Sequence, residues 1–184
     1  MQLRRANEDD LDALVQLVRR VVPLMQAAGN QQWNEQYPNR EVFARDVELR
    51  QLWLAEEGDA LLGVVALTLD QTPEYASVGW DLQQQAIVAH RLAVAPEARG
   101  RGVGLALMRQ AEVVAAERGI RLLRADTNSM NTAMQALFLK LGYTFAGETQ
   151  FAGRGPLRFY CYEATCTTCA TCGGANCLRL DSAK

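Results

Sequence analysis

The sequence predicts a single α/β domain built around a mixed β-sheet. Its 184 residues suit one compact domain, and 49% apolar with 22% charged residues is an ordinary globular composition. Segments with strand-like and helix-like periodicity follow the order βααβββαβαββ, which gives about seven strands and about four helices. We expect the domain to span residues 1–163 and residues 164–184 to form a separate tail.

Composition excludes several classes of partner. The net charge is −2, which does not predict a basic nucleic-acid surface. The chain contains no apolar run near the length of a membrane span, and residues 1–5 are charged where a secretory signal would be apolar. We therefore expect a cytoplasmic protein with neither a nucleic-acid nor a membrane partner.

The individual elements follow from periodicity and from capping residues. Apolar residues recur at helical spacing from Leu11 to Met25, and Asn39 is placed to cap a second helix. Gly119 and Gly142 are typical helix stops. The predicted strands are residues 2–6, 52–56, 61–70, 86–94, 122–126, 143–149 and 157–163, and the two later helices are residues 102–118 and 131–141.

The most informative segment is a glycine-rich loop between a predicted strand and a predicted helix. Gly100, Gly102 and Gly104 alternate immediately before the helix, and Arg99 and Arg101 add positive charge. The first amides of a helix are free and lie at its positive end, so they attract anions, and glycine lets the backbone approach a phosphate. The segment predicts a phosphate-binding loop, and the alternative is a turn that only starts a helix.

Two common phosphate motifs do not match this loop. A dinucleotide fingerprint, G-x-G-x-x-G, would need glycine where the chain has Leu105, and a P-loop would need a lysine that is absent here. Instead, Arg99, Gly102 and Gly104 match R/Q-x-x-G-x-G/A, the pyrophosphate signature of the GNAT acetyltransferase superfamily. Asn131 with Ala133, and the segment 137–143, also resemble later family motifs.

This resemblance covers residues 2–163 and implies a mostly antiparallel sheet with acetyl-CoA as cosubstrate and no metal. Leu92 and Val94 would bind the pantetheine arm through backbone groups, and an amide near Val94 would stabilise negative charge on the acetyl oxygen. The amides of residues 99–104 would hold the pyrophosphate. The cofactor residues expected by resemblance are Leu92, Ala93, Val94, Arg99, Gly100, Arg101, Gly102, Val103, Gly104, Asn131 and Phe138.

His90 is the candidate general base because it is the only histidine and ordinarily titrates near neutral pH. Another member of the superfamily, serotonin N-acetyltransferase, resembles this chain in having a catalytic histidine at the matching strand position. Strand alternation predicts that His90, Leu92 and Val94 share one face of the sheet. The alternative is a structural histidine packed against the sheet.

Phe138 departs from the family pattern. Many members have tyrosine at this position, where its hydroxyl is the general acid for the coenzyme thiolate, and phenylalanine cannot donate a proton. Three explanations are open: the thiolate leaves unprotonated, a nearby tyrosine (Tyr143, Tyr160 or Tyr162) substitutes, or the protein binds coenzyme A without efficient catalysis.

The acceptor pocket is predicted from aromatic residues in loops, namely Trp33, Tyr37, Tyr75 and Trp80. Glu35, Glu74 and Asp81 are candidates for attracting a protonated amine. The alternative for each aromatic is that it fixes its loop to the core. We expect a small-molecule amine or a peptide N-terminus as acceptor, and family members are often homodimers.

The tail contains four of the five cysteines: Cys166, Cys169, Cys172 and Cys177. Their spacing resembles a zinc or iron–sulfur ligand set, but no histidine is nearby and the ferredoxin spacing does not match. From residue 164 to 177 every letter is also a nucleotide symbol. We interpret this stretch as a text artefact and expect no metal site.

Overall fold

The computed structural model describes residues 1–166 and confirms the predicted order of elements. The strands are β1 (Gln2–Arg5), β2 (Leu52–Glu57), β3 (Ala60–Thr68), β4 (Ala86–Val94), β5 (Leu122–Asn128), β6 (Thr144–Thr149) and β7 (Phe159–Thr165). The helices are α1 (Leu11–Ala27), α2 (Arg40–Glu48), α3 (Val103–Glu117) and α4 (Thr132–Lys140). Residues 73–78, predicted to be irregular, contain a short 3-10 helix.

The strands form one seven-stranded sheet in the order β1-β2-β3-β4-β5-β7-β6. β4 and β5 are parallel, whereas each other neighbouring pair in the described chain is antiparallel. The crossover from β4 to β5 contains the glycine-rich loop and α3, as a parallel connection requires. The sheet is therefore mixed and mostly antiparallel, as predicted.

One main core fills the space between the sheet and the helices. Leu14 and Leu17 of α1 and Leu107 and Ala111 of α3 are fully or almost fully buried against the sheet. β7 continues to Thr165, two residues beyond the predicted end of the domain, and Cys166 is buried with its thiol 3.6 Å from the carbonyl oxygen of Glu112. Cys169, Cys172 and Cys177 lie outside the described residues.

A β-bulge interrupts β4 at Arg91, whose φ is 54°. Its pairing with β3 places His90 opposite Ala66 and Ala93 opposite Val64, so the register shifts within this stretch. Directly opposed residues share a face, hence His90 lies on the face of Ala93 and not on that of Leu92 and Val94. The prediction that His90, Leu92 and Val94 share a face is wrong, because a bulge adds one residue and inverts the alternation.

A buried ion pair holds the bulge. The Nε and Nη2 of Arg91 donate to the two carboxylate oxygens of Asp46 on α2 at 2.7 and 2.8 Å. The two side chains are only 14% and 4% exposed. This bidentate contact fixes α2 against the bulged strand.

β4 and β5 diverge beyond the bulge. Their pairing begins at Ala86 and Leu122 and ends at Ala89 and Ala125, although β4 continues to Val94 and β5 to Asn128. The sheet therefore opens between the two strands, next to the start of α3.

Candidate active site

The opening between β4 and β5 continues into a cavity of about 890 Å³. The start of α3 and the start of α4 line one part of it. Another part is lined by three loop segments, which contain Gln32 to Tyr37, Thr72 to Tyr75 and Phe151 to Arg154. We call this second part the acceptor end.

Four successive backbone amides of the glycine-rich loop are available to a ligand. Among the described residues, the amides of Gly102, Val103, Gly104 and Leu105 have no hydrogen-bond acceptor, as expected for the first turn of a helix. No side chain caps this end of α3 either. A row of free amides at the positive end of a helix favours an anion.

Two amides of the loop that were predicted to hold the pyrophosphate already have acceptors within the protein. The amide of Arg99 donates to the carbonyl of Pro96 at 3.4 Å, and the amide of Arg101 donates to that of Ala98 at 3.3 Å. The side chain of Arg101 also leaves the cavity, because its guanidinium lies 2.7 Å from the carboxylate of Glu57 at the end of β2. Arg99 does line the cavity.

Glycine is required at Gly100 and Gly102 by backbone conformation. Their φ angles are 76° and 79°, a region that side chains with a Cβ rarely adopt. A Cβ at either position would meet no atom within 4 Å, so the space above the loop is open. Both residues line the cavity.

The edge of β4 adds a further donor. The amide of Ala95 donates to the carbonyl of Leu62 on β3 at 2.8 Å. Hydrogen-bonding direction alternates along a strand, so the amide of Val94 faces the opposite edge, where β4 has diverged from β5. This orientation agrees with the predicted roles of Leu92 and Val94, which both line the cavity.

The start of α4 completes this part of the cavity. Asn131 caps the helix with its Oδ1 3.4 Å from the amide of Met134, and its Nδ2 donates to the hydroxyl of Thr127 at 3.0 Å. Phe138 is 1% exposed and packs against Tyr143 and Tyr162 with ring centroids 5.6 and 5.0 Å apart. Asn131 and Phe138 both line the cavity, as do Ala93 and Val103.

His90 lines the cavity. Its Nε2 is 3.5 Å from the carbonyl oxygen of Asp70. Burial lowers the pKa of His90 below its ordinary value of 6.5, and the neighbouring charge of Asp126 acts in the opposite direction. A lowered pKa keeps the imidazole neutral at physiological pH, which is the form that accepts a proton.

Asp126 is a candidate residue that sequence reasoning missed. It lies on β5 where the strand leaves β4, and its Oδ1 accepts a 2.5 Å hydrogen bond from the hydroxyl of Tyr75. Burial raises the pKa of this carboxyl above its ordinary value, while the charge of His90, the Tyr75 hydrogen bond and the charge of Arg154 lower it. Its position at the end of a predicted strand was the only available signal, since Tyr75 is 51 residues away.

The replacement tyrosines proposed for Phe138 do not reach the cavity. Tyr143, Tyr160 and Tyr162 are absent from its lining, and the hydroxyl of Tyr143 is buried without a hydrogen-bond partner among the described residues. Burial also raises the pKa of Tyr143. None of these three positions therefore places a hydroxyl in the cavity lining.

The acceptor-end predictions are partly supported by geometry. Trp33, Tyr37 and Tyr75 line the cavity, whereas Trp80 is buried in a separate cluster with Tyr75 and Cys161. Trp80 does not line the cavity, and the guanidinium of Arg124 lies 4.7 Å from its ring centroid. Of the predicted acids, Glu74 lines the cavity but Glu35 and Asp81 do not.

Arg154 is a second residue that sequence reasoning missed. It lies in the loop between β6 and β7, and its guanidinium is 4.5 Å from the ring centroid of Tyr37. Its Nη1 donates to the carbonyl of Gln32 at 3.2 Å. These contacts direct the loop towards the acceptor end.

The fold and this cavity define an acyltransferase-type protein, and comparison identifies the family. Residues 18–143 match the model of the acetyltransferase (GNAT) family. The chain belongs to this family.

Known relatives agree with the assignment. Streptothricin acetyltransferase of Streptomyces lavendulae is 32% identical over 73 residues, which are 40% of this chain and only 39% of that protein. A GNAT-family acetyltransferase from Streptococcus agalactiae has the same fold, with a TM-score of 0.76 and 24% identity over 89% of this chain and 94% of its own. The protein yncA of Salmonella typhimurium, solved with its cofactor acetyl-CoA, has a TM-score of 0.67 and 18% identity over 100% of this chain and 99% of its own.

Two kinds of site are absent from residues 1–166. No helix there is long and apolar enough to cross a membrane. No group of three or more His, Cys, Asp or Glu side chains in the same range is arranged to hold a metal ion.

Proposed function

We propose that this chain is an acetyl-CoA-dependent N-acetyltransferase that acetylates a primary amine of a small molecule or of a peptide N-terminus. Family membership supports acetyl transfer in general. The free amides at the start of α3 are the observation that carries the proposal for this chain, because they form an anion site where the family signature predicts the pyrophosphate.

The residues present fit acetyl-CoA along the whole opening. Gly102, Val103 and Gly104 would hold the diphosphate through backbone amides, and the diverging edge of β4 would bind the pantetheine arm. When bound, the cosubstrate supplies the acetyl group as a thioester. The amide of Val94 would then stabilise negative charge on the acetyl oxygen.

The transfer is proposed as direct attack within a ternary complex. Holding both substrates in one cavity replaces a bimolecular encounter with an oriented one, which supplies much of the rate. His90 would take the proton of the attacking amine, directly or through one water. Its lowered pKa provides the neutral imidazole that this role needs.

The alternative function is a non-catalytic acyl-CoA sensor. Phe138 favours it, since no tyrosine from β6, β7 or residue 143 lines the cavity to protonate the leaving thiolate. The enzyme remains our proposal because a coenzyme A thiolate, with a thiol pKa of about 8.5, can leave without direct protonation.

Thiol release distinguishes the two functions. The purified protein is incubated with acetyl-CoA and a panel of amines, and free thiol is measured with a colorimetric reagent. The enzyme predicts amine-dependent release above the rate without protein. Tight acetyl-CoA binding in calorimetry with no release for any amine would favour the sensor.

A further inference from the structure

The three loop segments of the acceptor end form one connected wall. The amide of Ala152 donates to the Oε1 of Glu74 at 3.1 Å, and the rings of Tyr75 and Phe151 are 5.8 Å apart. Arg154 joins this wall to the first segment through Tyr37 and Gln32. The acceptor would therefore meet a surface whose side chains are already fixed by each other.

Two other charged groups at this end already have partners within the protein. Arg91 is paired with Asp46 through two hydrogen bonds. Both carboxylate oxygens of Glu74 accept hydrogen bonds, one from the hydroxyl of Thr72 and one from the amide of Ala152. Arg91 is therefore neutralised, whereas Glu74 keeps its negative charge with both oxygens already hydrogen-bonded.

Two opposite charges remain available. Asp126 accepts a hydrogen bond from Tyr75 on one oxygen, and its other oxygen has no donor among residues 1–166. Among residues 1–166 the guanidinium of Arg154 makes a single hydrogen bond, to the carbonyl of Gln32, and no salt bridge within 4.0 Å, although its charge acts on Asp126. Its Nε and Nη2 are free to bind a planar anion through two parallel hydrogen bonds.

We propose that the acceptor is an amino acid, an amine that carries its own carboxylate, and this rests on the proposed function. The amine lies towards Asp126 and His90, and the carboxylate is bound by Arg154. A polyamine or aminoglycoside would instead place additional cations against the Arg154 guanidinium, which has no salt bridge among residues 1–166, and this repulsion costs binding energy.

The walls between these charges favour an apolar side chain on that amino acid. Trp33, Phe151, Phe159, Met25 and Met130 all line the cavity. A polar side chain placed against them would lose hydrogen bonds to water without replacing them. Leucine, methionine and phenylalanine are therefore the expected acceptors.

Matched acceptors isolate the role of the carboxylate. Thiol release is measured with leucine, methionine and phenylalanine, with their amides, and with the corresponding amines that lack the carboxyl carbon. The amides retain the side chain and imitate a peptide N-terminus. We expect kcat/KM for each amino acid to exceed that of its amide by about 10-fold or more, because a charged hydrogen-bonded pair is lost.

Variants assign this preference to Arg154. In Arg154→Gln, the KM for leucine should rise on the order of 10- to 100-fold while the KM for leucinamide changes little. Arg158→Gln is the matched control. Arg158 lies in the same loop between β6 and β7, but its side chain is exposed and does not line the cavity. Its guanidinium pairs with the carboxylate of Glu148 at 2.7 Å.

The outcomes separate this inference from the proposed function. Amides or polyamines that react as well as amino acids, or an Arg154→Gln variant that retains the preference for amino acids, would overturn the amino-acid assignment while supporting an acetyltransferase. No thiol release with any amine would contradict the proposed function itself.

Discussion

His90 shows how a single residue can be recognised from sequence and yet be wrongly oriented. Its titration range identifies it as a candidate base, but the bulge at Arg91 places it on the face opposite Leu92 and Val94. It still lines the cavity because the sheet opens beside it. The role therefore depends on the divergence of the strands and not on simple alternation.

Replacing His90 by glutamine tests the base. We expect kcat to fall by about 100-fold or more, since a positioned base contributes that order of rate. The wild-type kcat/KM should show an acid limb at a pH below 6.5, because burial lowers the pKa of His90 and protonation removes the base. That limb should disappear in the variant.

Asp126 requires a control in this experiment, since its carboxyl has a raised pKa and lies near His90. Asp126→Asn retains His90, so the histidine limb should persist in its pH profile. If the acid limb of the pH profile persists in His90→Gln and disappears in Asp126→Asn, the general base is Asp126 and not His90.

Substitution of Gly102 tests the anion site at the start of α3. Gly102→Glu should weaken coenzyme A binding by at least about 100-fold in calorimetry, because a carboxylate would repel the diphosphate beside the free amides. Its φ of 79° also strains any side chain, which Gly102→Ala measures without the charge.

A second glycine controls for strain elsewhere. Gly58 has a φ of 58° in the turn between β2 and β3, lies outside the cavity lining, and leaves open space for a side chain. Gly58→Glu should bind coenzyme A as the wild type does. Wild-type affinity in Gly102→Glu as well would refute the loop assignment.

At the scale of elements, the bulged strand depends on α2. Removing Asp46 leaves the Arg91 guanidinium buried without a counter-charge, and breaking such a pair typically costs about 3–5 kcal/mol. Asp46→Ala should therefore lower the free energy of unfolding by that amount in urea titrations.

An exposed ion pair on α2 is the control for this loss of stability. Arg45 and Glu48 are 62% and 68% exposed, and such surface pairs contribute roughly 0–1 kcal/mol. Glu48→Ala should leave stability almost unchanged. Equal losses in the two variants would show that the Arg91–Asp46 pair does not hold the strand.

Elements with strong local signals were predicted well. The Asn39 cap of α2 and Gly119 after α3 each determine an element boundary through neighbouring residues. The bulge was not predictable in this way, because it is stabilised by Asp46, which is 45 residues from Arg91. Periodicity describes a strand, but a long-range ion pair determines where it is interrupted.

At the scale of the whole molecule, the cofactor site was more predictable than the acceptor site. The glycine-rich loop is one continuous segment from Gly100 to Gly104, so its anion-binding chemistry can be inferred from the sequence. The acceptor end combines Gln32 with Arg154, which are 122 residues apart, and Tyr75 with Asp126. Only the folded chain brings these side chains together.

The divergence of β4 from β5 has a mechanical consequence. Four residue pairs, from Ala86–Leu122 to Ala89–Ala125, are the backbone pairing that joins a four-stranded block to a three-stranded block. A molecule bound in the gap between β4 and β5 would contact both blocks and restrict their movement relative to each other. Binding there would therefore make the short β4–β5 pairing, which sets the angle between the two blocks, more rigid.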